Sequence, residues 1–340
     1  MKYLMIDIEG IDLNENDVRR IQHPHVGGVI LFSRNYVNKS QLTQLIQTMR
    51  EVKEELLIAV DYEGGRVQRF REEFTLLPSM RTLGNLFDDN ESDALEMAEK
   101  IGWLIGQELG EVGIDFSFTP VLDIDYGSSS VIGDRSFHDR VTPVIDLSQA
   151  LIKGLNRAGM SAVGKHFPGH GYIKADTHLE KAIDARSFDE IAQNDLQPFA
   201  QMIASKIEGI MPSHVIYSSC DPNPASMSSF WLNTILREQL NFKGIIFSDD
   251  LSMQAAVDQE PNPAKRVSRA FNAGIDYALV CNNPGDVDLI LDSMDSKKVI
   301  EEFSPKFNMR LDRSKHQCKT FHDQPLSDIS KSILKMTHEI

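Results

Sequence analysis

Eight short, largely apolar β-like runs recur along the chain: Tyr3–Ile8, Gly28–Phe32, Leu57–Asp61, Ile114–Pro120, Ala158–Lys165, Gly209–His214, Gly244–Asp249 and Tyr277–Asn282. Most are rich in β-branched residues and are bounded by turn formers. Amphipathic helical patterns separate them. Ser40–Glu55 places Leu42, Leu45, Ile46 and Met49 at helical spacing, and Ser92–Val112 carries Leu95, Ala98, Ile101, Leu104, Ile105 and Leu109 on one stripe. Val144–Ala158, Ser187–Ser205, Phe230–Leu240 and Pro263–Ala273 continue the alternation. Apolar strands alternating with helices imply a parallel sheet buried on both faces. Eight such units in one chain of 340 residues predict an α/β fold of the (β/α)8, TIM-barrel type rather than an open sheet. A doubly wound fold is the alternative, but no Gly-x-Gly-x-x-Gly follows an early strand.

The barrel is expected to occupy residues 1–296 as a single domain. Residues 297–340 are patterned more weakly, through Ser304-Pro305 and the polar Arg313–Gln324 stretch, and end in a helical segment, Leu326–His338. They read as a helical extension packed on the barrel.

Polar groups fall where a barrel concentrates its chemistry, at strand C-termini and the loops after them. Asp61 ends the third run, Asp123 and Asp125 follow the fourth, and Lys165 and His166 end the fifth. His214 ends the sixth, Asp249 and Asp250 the seventh, and Asn282 the eighth. The densest cluster is Lys165-His-Phe-Pro-Gly-His-Gly-Tyr-Ile-Lys-Ala-Asp-Thr-His178. Unpaired polar groups are costly to bury, so this stretch reads as a loop that moves protons. Pro168, Gly169 and Gly171 permit sharp turns and a mobile backbone. Asp176 and His178 make a carboxylate–imidazole pair suited to acid/base work near neutral pH. His178 as a helix cap is the bland reading.

The seventh run delivers Asp249 and Asp250 to its end. Neighbours on a strand face opposite ways, so one carboxylate can enter the site while the other supports the next turn or caps a helix. Residue patterning alone does not choose between them. In Asp61-Tyr-Glu-Gly-Gly-Arg-Val-Gln-Arg69, an aspartate and an arginine projecting into one pocket suit vicinal hydroxyls or a carboxylate. An ion pair that ties down the loop is the competing account, especially for Arg66. In the long loop Asp123–Phe137, Arg135 is a candidate ligand contact, while Asp134, Asp123 and Asp125 are as readily explained by local pairing.

A metal site built from His166, His170, His178, His214 and the acids is a rival. Pro168 and Gly169 between His166 and His170 rule out a zincin-like helix for it. The formal charge of −15 argues against nucleic acid or an anionic membrane as partner. The three cysteines, Cys220, Cys281 and Cys318, show neither disulfide nor zinc-finger spacing. Acids in the first ten residues disfavour a signal peptide, and no apolar run approaches a membrane span. A cytoplasmic protein, monomeric and acting on a small molecule, is expected.

Taken together, Lys165–Gly171 with Asp176-Thr-His178, Asp61–Phe70, Ile132–Phe137 and Phe247–Met253 resemble glycoside hydrolase family 3. The closer likeness is to its single-domain bacterial β-N-acetylglucosaminidases of peptidoglycan recycling. The similarity runs from Met5–Gly10 and Gly27–Tyr36 to about Asn283. The resemblance implies a nucleophile at Asp249 that forms a covalent glycosyl-enzyme and so retains configuration. It implies His178 as acid/base, assisted by Asp176, and sugar-binding positions at Asp61, Arg69, Arg135, Lys165 and His166. The expected substrate is a muropeptide or amino sugar ending in N-acetylglucosamine, with no cofactor. Alternatives are a phosphorylase or β-glucosidase of the same family, a metal-dependent barrel hydrolase, or a non-catalytic sugar sensor.

Overall fold

Each of the eight apolar runs forms a strand: β1 (Tyr3–Ile6), β2 (Val26–Leu31), β3 (Leu57–Val60), β4 (Phe116–Ser117), β5 (Val163–Phe167), β6 (Gly209–Pro212), β7 (Ile245–Ile246) and β8 (Tyr277–Val280). The structure, a computed structural model, describes residues 2–173, 182–295, 309–317 and 320–338. Parallel pairing joins β8, β1, β2, β3 and β4 in one sheet and β7, β6 and β5 in another. Parallel bridges close the ring, Phe116 to Ser161 and Val121 to Lys165 on one side and Phe247 to Tyr277 on the other. The result is the expected (β/α)8 barrel. β4 is shorter than its apolar run because Pro120 offers no N–H to a ladder, and contact with β5 resumes at Val121.

The helices follow their patterns with instructive exceptions. Glu91–Val112 begins on an Asn90 cap and ends on Gly113 in the left-handed region. Glu15–Gln22, which the apolar periodicity does not reveal, is announced by a capping box between Asn14 and Asp17. The expected helix Ser187–Ser205 is two helices, Phe188–Gln193 and Leu196–Ala204. The chain breaks at Asn194, and the break turns the Asp195 carboxylate to the Arg186 guanidinium at 2.8 Å. Phe230–Gln239 is π-wound.

Buried rings pack inside the ring of strands, with Phe116, Phe118 and Phe247 mutually 5.2–5.4 Å apart between centroids. Burial of this kind stabilises by roughly 1.5–3 kcal/mol per large side chain. Leu326–His338 forms the expected helix and buries Ile329 and Ile333. Its Thr337 hydroxyl donates to the Leu76 carbonyl at 3.2 Å, and its Ser330 hydroxyl meets that of Thr75 at 2.7 Å. No described helix is long and apolar enough to cross a membrane.

Candidate active site

A cavity of about 410 Å³ opens at the C-terminal ends of the barrel strands. Asp61, Arg69, Arg135, Lys165, His166 and Asp249 all line it. These six are the described members of the nucleophile and sugar-binding set that the resemblance implies. Asp176 and His178 lie outside the described residues.

The cavity wall is an interlocked set of charges. Lys165 Nζ donates to Asp61 Oδ1 at 2.9 Å and to Glu63 Oε1 at 2.5 Å. Arg69 Nη2 reaches Asp61 Oδ2 at 3.1 Å. Arg135 grips Glu63 through Nε and Nη2, both at 2.8 Å. Burial opposes the charge on Asp61, but Lys165 and Arg69 outweigh it and hold the carboxyl well below the usual range. Burial likewise opposes the charge on Glu63, yet Arg135 and Lys165 draw it down to about 2. Both acids are thus ionised acceptors at neutral pH. Strand pleating explains the grouping, since residues 61 and 63 lie two apart along extended chain and share a side.

Lys165 is 2 % exposed, so the dense polar stretch begins as a buried strand end, Lys165–Phe167. What compensates the burial is pairing. Asp123, fully buried, accepts the His166 Nδ1–H at 2.7 Å and the backbone N–H groups of His166 and His170 at 3.1 and 2.8 Å. Burial raises its carboxyl, and His166 and His170 more than offset that to leave it lowered. Local pairing therefore does describe Asp123, and the partner it orients is a cavity residue. Asp125 instead pairs with Arg81 at 2.7 Å.

Gly169 has a φ of 140°, with Asp195 packed where a side chain would stand, and a Cβ on Gly171 would lie 1.7 Å from the Ile124 carbonyl oxygen. Both are buried. They serve close backbone approach. The peptide bonds Lys165–His166 and Phe167–Pro168 are cis.

The two adjacent aspartates both line the cavity, and Asp250 is tied into the surrounding backbone. Asp250 Oδ1 accepts the backbone N–H groups of Ser252 at 2.9 Å and Cys281 at 3.0 Å, which ties β7 to the end of β8. Burial pushes its carboxyl up to about 7 against these hydrogen bonds. Asp249 Oδ1 accepts the Asp250 N–H at 2.8 Å. His214 supports the same turn, with Nε2 donating to the Asp250 carbonyl at 2.9 Å and Nδ1 meeting the Ser226 hydroxyl at 2.6 Å.

Arg66 follows the loop-tying account. It pairs with Asp134 at 3.2 Å and donates to the Val131 carbonyl at 2.5 Å. Glu63 and His170, which the sequence does not mark as sugar contacts, also line the cavity. The two-residue spacing from Asp61 is the available signal for Glu63, and the sequence marks His170 only as a possible metal ligand. Among the described residues no cluster of three or more His, Cys, Asp or Glu is placed to hold a metal ion.

A closed parallel barrel whose mouth holds ionised carboxylates, arginines and a lysine around a sugar-sized cavity has the make-up of a carbohydrate-cleaving barrel enzyme. Comparison with known proteins makes this specific. Residues 3–312 match the model of the glycosyl hydrolase family 3 N-terminal domain. A beta-hexosaminidase of Nitrosomonas eutropha is 48% identical over 338 residues, spanning 99% of this chain and 95% of that one. A beta-hexosaminidase of Methylobacillus flagellatus is 51% identical over 289 residues, 85% of this chain and 82% of that one. The crystal structure of NagZ from Neisseria gonorrhoeae in complex with N-trifluoroacetyl-D-glucosamine superposes with a TM-score of 0.88 at 39% identity, covering 99% of both chains. The chain belongs to glycosyl hydrolase family 3.

Proposed function

We propose that this protein is a retaining, exo-acting β-N-acetylglucosaminidase. In this reading it releases terminal non-reducing N-acetylglucosamine from peptidoglycan fragments, those ending in 1,6-anhydro-muramic acid with or without peptide. It works in the cytoplasm during cell-wall recycling, as a monomer and without metal or organic cofactor. The observation that carries the reading is Asp249 sharing one cavity with the Asp61–Lys165–Arg69 network. The names of the beta-hexosaminidase relatives support the sugar specificity.

The chemistry assigns each group a task. Asp61, held ionised, accepts hydrogen bonds from ring hydroxyls, while Arg69, Arg135, Lys165 and His166 orient the same ring. The Asp249 carboxylate attacks the anomeric carbon, and its new C–O bond forms as the glycosidic C–O bond breaks. His178, assisted by Asp176, gives its proton to the departing oxygen. It then takes a proton from water, which attacks the same carbon and releases Asp249. Contacts to hydroxyls that tighten as positive charge develops lower the barrier.

The test is hydrolysis of an aryl β-N-acetylglucosaminide with the first-formed anomer followed by NMR. β-N-acetylglucosamine appearing first supports the reading. Inversion removes the covalent aspartate, and absence of turnover removes the activity.

A further inference from the structure

His170 is 2 % exposed, lines the cavity, and has no hydrogen-bond partner for either ring nitrogen among the described residues. That arrangement is costly, because a buried imidazole keeps one N–H and one lone pair that water would otherwise satisfy. A phenylalanine would fill the same space without the cost.

The backbone that carries the ring is anchored on both sides. The His170 N–H is pinned to Asp123 at 2.8 Å, and its carbonyl accepts from Ile173 N–H at 3.3 Å. The Gly169 carbonyl accepts the Tyr217 hydroxyl at 2.7 Å, and Gly171 is pressed against Ile124. The His166 ring meets it edge-on at 5.9 Å. A preorganised polar group left unsatisfied in a ligand cavity is one whose partner arrives with the ligand.

We propose that His170 is a substrate-binding residue that hydrogen-bonds, as a neutral imidazole, to a hydroxyl or acetamido group of the bound amino sugar. This rests on the cavity being the sugar site. Burial, then the neighbouring His166, lower its pKa to about 4, so it keeps both a donor and an acceptor at neutral pH. It therefore differs in kind from the charged groups around it. Asp61 and Glu63 only accept, and Arg69, Arg135 and Lys165 only donate. A neutral group that can both donate and accept, set beside these fixed charges, suits a ligand group that itself does both, as a hydroxyl does.

The experiment uses the whole enzyme and N-acetylglucosamine as probe. Calorimetric affinity is measured for the native protein and for His170→Phe, His170→Asn and His170→Gln, alongside kcat and KM on an aryl β-N-acetylglucosaminide. His170→Phe is expected to weaken binding about 10- to 100-fold while raising the melting temperature or leaving it unchanged. One of the two amide variants is expected to recover part of the loss, since each places an N–H near one ring nitrogen. In the native enzyme labelled with 15N-histidine, the His170 ring resonances are expected to shift on saturation with N-acetylglucosamine. That measurement stands even where a variant does not fold. Equal affinity in His170→Phe, or unshifted ring resonances while the sugar binds, overturns the proposal and leaves the assigned activity standing. Failure of the native enzyme to bind N-acetylglucosamine overturns both.

Discussion

The Arg135 guanidinium meets the Glu63 carboxylate in two parallel contacts, Nε to Oε2 and Nη2 to Oε1, both at 2.8 Å. Because Lys165 holds the same carboxylate from another direction, Glu63 is the joint between two cations that face the cavity. It holds Arg135 and Lys165 in register with Asp61.

Glu63→Gln is therefore expected to cost about 3 kcal/mol of stability at pH 7, since two buried cations lose their shared anion. The pH dependence carries a sign. The native carboxyl titrates at about 2 against an ordinary 4.5, so its contribution is complete above 4.5 and is lost as pH falls toward 2. Urea unfolding of both proteins across that window should show the gap between them shrinking with acidification. A gap independent of pH would show that Glu63 is not ionised against Arg135.

Asp249 and Asp250 should separate cleanly. Asp249→Asn is expected to lower kcat by about three orders of magnitude or more, the scale of losing a covalent nucleophile. Asp250→Asn keeps an oxygen for the Ser252 and Cys281 N–H groups and is expected to hold kcat within about tenfold. It should also become more stable relative to the native protein as pH rises from 3.8 to about 7, because burial makes the native carboxyl shed its proton reluctantly over that range. Comparable losses of kcat in both variants would refute this division.

His178→Ala is expected to depress turnover of substrates with poor leaving groups far more than of activated aryl glycosides, where proton donation matters less. Asp176→Asn should follow the same pattern in weaker form. Rates measured across a series of leaving groups decide it, and an equal loss throughout would make His178 a structural residue.

Asp123→Asn tests whether the buried carboxylate orients His166. Its three accepted hydrogen bonds include one that fixes His166 Nδ1 as the donor. The amide is expected to lower kcat/KM about 10- to 100-fold and to cost about 1–3 kcal/mol of stability. Unchanged KM and kcat in a folded variant would assign Asp123 to packing alone.

The strands were legible because burial on both faces forces near-continuous apolar runs, and the cavity because barrels gather polar groups at strand ends. Asp61 and Lys165 could be placed on that logic, and Asp249 only together with its neighbour Asp250. Glu63 hid inside a Tyr-Glu-Gly-Gly turn that reads as loop chemistry, and its position depends on extended backbone through Tyr62–Gly64. His170 hid behind Pro168 and Gly169, which break the helical spacing to His166, while Asp123, distant in sequence, returns it to the cavity. The split of the Ser187–Ser205 helix follows from Arg186 drawing in Asp195, a long-range demand that helical periodicity does not register.

The Gly171–Ile124 contact sets a boundary for redesign. At Gly171 even one added methyl would collide with backbone, so exchange of the segment that follows between related enzymes cannot begin there. On the far side, the Ala182 carbonyl is already engaged by the Ile216 N–H at 2.9 Å, and Ile183 pairs with Ile216. A graft joined at Ile173 and Ala182 leaves both anchors intact. Under the proposed role of His178, libraries that vary leaving-group preference belong between those two residues.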